Sequence, residues 1–187
     1  EKKLAETNQL LSNPTADLRL PENTRRFRQQ FRDEISYLSR ILCLSTTPKD
    51  LLLWAHYADS HRGVCLSFDG SSPKLADAEP VKYRSVRPTI YPLKDSLDKT
   101  RNSAYFVKST HWTYEQEWRI LEHTLGGSVH RDLKSALVGV ILGSRISASD
   151  RAFVLKCVEK LDPRPKVYQA RISQSRFAIL TSPVAET

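Results

Sequence analysis

At 187 residues, the chain has the length of one domain, and such a domain buries roughly 70% of the surface its unfolded chain exposes, so folding needs neither disulfides nor metal. Its formal charge of +8 would draw a phosphate-bearing partner, whether nucleic acid, nucleotide or dinucleotide, over about a Debye length. No apolar run approaches the roughly 20 residues of a membrane span, and Glu1-Lys2-Lys3-Leu4 lacks the apolar core of a signal peptide, so a soluble, cytoplasmic protein without membrane contact is expected.

In chain order, residues 1–12 read as a helix or its tail, followed by a loop through Pro14 and Pro21. Glu22 to Ser39 carries Phe27, Phe31, Ile35 and Leu38 at helical spacing, and its Arg25, Arg26, Arg28 and Arg32 form a basic side that suits either nucleic acid or plain solvent. Ile41 to Ser45 is a short strand. Thr47-Pro48 then reads as the cap and first residue of a helix running to about Ser60, with Gly63 helping to stop it. Val64 to Phe68 is the next strand, Val81 to Arg84 an edge strand among four prolines, and Leu93 to Phe106 a helix. Tyr114 to Glu122 reads as a strand from its partial alternation, and Ala136 to Leu142 as one buried on both faces. A helix from Ser147 to Leu161 precedes two closing strands, Val167 to Ile172 and Arg176 to Leu180. Strands and helices mix without a regular βαβ beat, which predicts an α+β fold: one mixed-sheet domain with flanking helices over residues 1–187. Methionine is absent even at position 1, so part of the native N-terminus is expected to precede this chain. Cys43, Cys65 and Cys157 lie in apolar stretches without CxxC spacing and read as reduced, buried thiols.

Two segments carry the chemistry. In Leu53 to Gly63, Trp54, Tyr57 and His61 are three and four residues apart and would share one helical side, while His56 points elsewhere. They make either a wall for a planar ring or ordinary core packing with a histidine at a helix C-terminus. In Lys108 to Arg119, a strand would project Glu115, Glu117 and Arg119 to one face. Paired carboxylates in a cleft would push one pKa up toward proton transfer, with Arg119 restraining the rise; on a solvated face they would do nothing. No metal-ligand spacing, P-loop, GxGxxG or GxSxG is present, so no metal is expected.

The two motifs, Leu-Trp-Ala-His-Tyr-Ala-Asp-Ser-His-Arg-Gly at 53–63 and Trp-Thr-Tyr-Glu-Gln-Glu-Trp-Arg at 112–119, together resemble an uncharacterised bacterial family, a domain of unknown function. Such proteins usually begin with a Tyr-x-Tyr-Arg strand and an Asn-Asp-Pro-Phe segment that this chain lacks, which again implies truncation. The order of Ser45-Thr46-Thr47, an aromatic-bearing helix and then Glu115-Gln116-Glu117 also resembles the ADP-ribosyltransferases. That resemblance implies NAD as substrate. Ser45 would shape its pocket and Tyr57 would stack on nicotinamide, with Trp54 and Arg119 on the same binding side. Glu117 would be catalytic and Glu115 would orient an acceptor on nucleic acid or protein, in a setting of phage defence or toxin action. Two other readings stand beside it: a non-catalytic nucleic-acid-binding module using Arg25 to Arg32 with the Trp54/Tyr57 wall, and a nuclease or other hydrolase using His56, His61 and Glu115.

Overall fold

The computed structural model describes residues 39–91, 94–124 and 127–184, together with positions 25, 26, 29, 30, 33 and 37, which are helical. The expected helix over residues 1–12, the apolar stripe of Phe27, Phe31, Ile35 and Leu38, and Arg28 and Arg32 lie outside the described residues. Arg25 and Arg26 are described, helical and exposed. The chain divides into two compact units, one of residues up to Leu42 with Leu121–His130, the other of Cys43–Ile120 with Arg131–Thr187. In the smaller unit the Arg40 guanidinium donates to the Gly127 carbonyl at 2.6 Å and to the Ser39 carbonyl at 2.8 Å.

The larger unit holds most of the regular structure, and it mixes helices with parallel and antiparallel strands, so the fold is α+β. Its elements follow β1 (Ser39–Ser45, begun in the smaller unit), α1 (Leu51–Tyr57), β2 (Val64–Phe68), β3 (Glu79–Pro80), β4 (Lys82–Arg84), α2 (Leu97–Tyr105) and β5 (Val107–Ser109). A 3-10 segment, Thr110–Glu115, then leads into β6 (Glu117–His123), β7 (Leu137–Leu142), α3 (Ala148–Val158), β8 (Lys166–Ile172) and β9 (Ile179–Pro183). Strand order is β2-β7-β8-β9 in the largest sheet, β1-β6-β3 in a second, and β4-β5 in a parallel pair.

The core is built on β7. Its alternate residues feed two clusters: Ile141 packs with Trp54 and Ala58 of the α1 region, while Val140 and Leu142 pack with Val158 of α3. A strand covered on both faces reads as the continuous Leu-Val-Gly-Val-Ile-Leu run seen here. Helix α1 starts at Leu51, not at Pro48, because Asp50 caps it: its carboxylate accepts from the N–H groups of Leu52 at 2.8 Å and Leu53 at 3.1 Å. Helix α2 likewise begins four residues later than the sequence suggested, capped by Ser96. β9 begins at Ile179, three residues later than expected, after the turn that Ser173 closes on the N–H groups of Ser175 and Arg176.

After Tyr57 the chain turns through Asp59, Ser60 and His61, all at positive φ. Gly143 at the end of β7 lies against this turn, where an added Cβ would stand 2.2 Å from the His61 carbonyl oxygen, so only glycine allows the approach. Among the described residues no helix is long and apolar enough to cross a membrane.

Candidate active site

The site is assembled by three short elements that pass one another in the larger unit. Ser45 ends β1, and its hydroxyl donates to the Glu115 carbonyl at 2.7 Å. Thr46 follows, its hydroxyl donating to the Gln116 side-chain oxygen at 2.7 Å and its N–H to the Gln116 carbonyl at 3.4 Å. These bonds hold Gln116 in a left-handed conformation, φ 45°, between the 3-10 segment and β6. Glu115 is therefore not a strand residue; it reaches the same place as Glu117 because the backbone reverses its twist at Gln116. Glu117 and Arg119 do share a face of β6, as alternation predicts.

Both carboxylates are buried, Glu115 to 3% exposure and Glu117 to 6%, and buried carboxylates need partners. Glu115 accepts from the Tyr57 hydroxyl at 2.8 Å and from the Lys108 ammonium. Glu117 accepts from Lys108 at 3.0 Å and from both Nε and Nη2 of Arg119, at 2.7 and 3.0 Å, in a two-pronged pair. The remaining Arg119 nitrogen, Nη1, donates to the Tyr105 carbonyl, and the Glu117 backbone N–H donates to the Tyr83 hydroxyl at 2.8 Å. Two anions and two cations thus form one connected network. Burial alone would raise the Glu117 pKa, but the hydrogen bonds from Arg119, Cys43 and Lys108 outweigh it and hold the group at about 2. Desolvation pushes Lys108 the other way, and its two carboxylate partners more than reverse that, so its pKa is raised. Tyr57 is also raised, by desolvation and by its bond to Glu115.

An aromatic rim borders the network. Tyr57 is 66% exposed; His56 lies 6.2 Å from it and 6.1 Å from Trp112, ring to ring, and Lys108 stands 4.9 Å over the Trp112 ring. Trp112 in turn faces Tyr114 at 6.0 Å.

The structure brings Ser45, His56, Tyr57, Glu115, Glu117 and Arg119 together, and it places Trp54 and His61 elsewhere. Trp54 is 3% exposed in the core, with its indole N–H donated to the Pro48 carbonyl at 2.7 Å, so it packs and does not wall a pocket. His61 does not share a helical side with Trp54 and Tyr57, because α1 ends before it. Its Nδ1 is buried without a hydrogen-bond partner among the described residues. The sequence reading missed Lys108 and Tyr83, whose approach depends on the parallel β4-β5 register that sets Tyr83 beside Lys108. It also misjudged the cysteines: Cys43 and Cys157 are exposed and Cys65 intermediate. The Cys43 thiol is nevertheless pushed up to about 11, by partial desolvation and then by its bond to Glu117, which makes it a poor nucleophile at neutral pH. Among the described residues no three His, Cys, Asp or Glu side chains gather as metal ligands.

Residues 53–120 match the model of a family described as a protein of unknown function, DUF2971, which bears out the likeness to an uncharacterised family over the stretch that holds both motifs. No curated protein and no solved structure matches the chain.

Proposed function

We propose that this chain is an ADP-ribosyltransferase-like enzyme that takes NAD as substrate. One observation carries the reading: the three segments on which the resemblance rests converge on Glu115, whose carbonyl receives the Ser45 hydroxyl at 2.7 Å and whose carboxylate receives the Tyr57 hydroxyl at 2.8 Å. The side chains suit the ligand. The Tyr57, His56 and Trp112 rim offers faces for a planar ring, Lys108 carries a charge that a diphosphate would need, and Glu115 and Glu117 lie directly behind that rim.

In the reaction the bond between ribose C1′ and the nicotinamide nitrogen breaks, and its electron pair leaves with nicotinamide. An acceptor oxygen or nitrogen then bonds to C1′ and releases its proton to solvent. Positive charge grows on the sugar only in the transition state, so a preorganised carboxylate there lowers the barrier without tightening substrate binding to the same degree. A Glu117 carboxyl held at about 2 is ionised throughout the neutral range. That suits charge stabilisation and leaves the group no proton to donate. Lys108 is the more exposed of the two cations, 21% against 15% for Arg119, and is the one able to turn toward an incoming diphosphate.

Purified chain is incubated with NAD and cell lysate, and nicotinamide release is followed. Glu117→Gln and Glu115→Gln are each expected to lower release by about 100-fold or more. No release from the parent, or equal release from Glu117→Gln, removes the proposal.

A further inference from the structure

Beside the charged network, β4, the loop after it and α2 enclose an open basic groove. Its larger part, about 710 Å³, is lined by Lys82, Tyr83, Arg84, Arg87, Pro88 and Thr110 among others, and a second hollow of about 340 Å³ shares Lys82, Arg84 and Pro88 and continues to Lys99 and Asn102. Among the described residues no carboxylate lines either part. Lys99 is paired with Asp95, but Lys82, Arg84 and Arg87 form no salt bridge with any described residue. The carboxylate that feels Lys82, Glu79, is already held by Arg101. Three exposed cations in one recess, with no ion pair among the described residues, repel one another, and an arrangement of that kind is stabilised by an anion placed among them.

We propose that this groove binds the phosphate backbone of a single-stranded nucleic acid. Two hollows that share Lys82 and Arg84 put several cations within reach of one extended polyanion, more than a lone phosphate group needs. A single strand suits the groove better than a duplex, because its bases are free to stack on an aromatic face while its phosphates meet the cations. Tyr83 is among the residues that line the groove, which puts an aromatic side chain of the kind bases stack on at its edge, and its hydroxyl receives the Glu117 N–H at 2.8 Å. The same residue therefore lines the groove and touches the backbone of the carboxylate segment. A strand lying there is placed as the acceptor, a role that rests on the transferase reading; binding itself does not.

The test uses the whole chain, without NAD, titrated into fluorescently labelled single-stranded DNA and RNA oligonucleotides across a salt series, beside duplex DNA and ADP as competitors. Binding is expected to weaken with salt, and Arg84→Ala combined with Arg87→Ala to lower the slope of log affinity against log salt by about 1.4, two contacts at about 0.7 each. Both arginines are exposed, so an unchanged melting temperature shows that the variant is folded. An unchanged slope in the folded variant, or displacement of the oligonucleotide by equimolar ADP or duplex, overturns the proposal. Strand binding by a chain that releases no nicotinamide would uphold the groove and remove the transferase reading alone.

Discussion

Glu117 is the residue on which charge and stability are most tightly joined. Its carboxyl ordinarily titrates near 4.5 and is held at about 2 by Arg119, Cys43 and Lys108 against the opposing pull of burial. A folded-state pKa below the unfolded one contributes stability that is complete above the unfolded value and is lost as pH falls through the folded one. The difference corresponds to about 3 kcal/mol, a figure applicable to a side chain only 6% exposed. Stability measured by denaturant unfolding is thus expected to be flat through the neutral range as far as this group is concerned and to fall between about pH 5 and pH 2. Glu117→Gln should lose most of that acid-limb slope, and should be less stable than the parent at pH 7 by about 3 kcal/mol, since Arg119 and Lys108 remain buried with half their partners gone. A variant whose acid limb matches the parent's would show that Arg119 and Lys108 do not hold the carboxyl as described.

Gln116 shows how an element boundary makes the site. The notion of one strand from Tyr114 to Glu122 follows from alternation, yet the structure ends a 3-10 segment at Glu115, turns at Gln116 with φ 45° and begins β6 only at Glu117. Propensity could not supply this, because what holds Gln116 left-handed is Thr46, seventy residues away in sequence. A β-branched residue is strained at positive φ and cannot offer the amide oxygen, so Gln116→Val is expected to cost about 2 kcal/mol. It should also weaken nicotinamide release, read beside Tm, since it displaces Glu115 relative to Tyr57. A Tm within the error of the parent's would argue that the turn is free to relax. β2, β7 and β8 were legible, each falling within a residue of its expected bounds, and β7 most plainly so, since its unbroken Leu-Val-Gly-Val-Ile-Leu run follows from burial on both faces. The Glu117/Arg119 face was legible too, being a strand's own period. Helix starts moved by three or four residues because caps at Asp50 and Ser96 won over Pro48 and Leu93. Lys108 and Tyr83 were illegible as site residues, since nothing in their spacing from Glu115 and Glu117 encodes the parallel pairing that brings them there.

At the scale of the whole molecule, a formal charge of +8 attracts any polyanion, and the groove must be told apart from that general field. The field of dispersed charges is screened beyond about 8 Å at physiological ionic strength and reaches about 30 Å at low salt. Direct phosphate contacts act inside the screening length and persist. Two double variants of the larger unit lower the net charge by the same two units: Arg84→Ala with Arg87→Ala in the groove, and Arg171→Ala with Arg176→Ala at exposed positions that do not line it. If the charge acted only as a field, both pairs would weaken oligonucleotide binding equally at every salt concentration. With contacts in the groove, the first pair should raise Kd on the order of tenfold at physiological salt, while the second stays within about threefold. The two variants should draw closer as salt is reduced and the longer Debye length lets remote charges contribute. Equal losses at physiological salt would mean that the basic charge of this chain works as a whole, and that Lys82, Arg84 and Arg87 are no more a binding track than any other three cations on its surface.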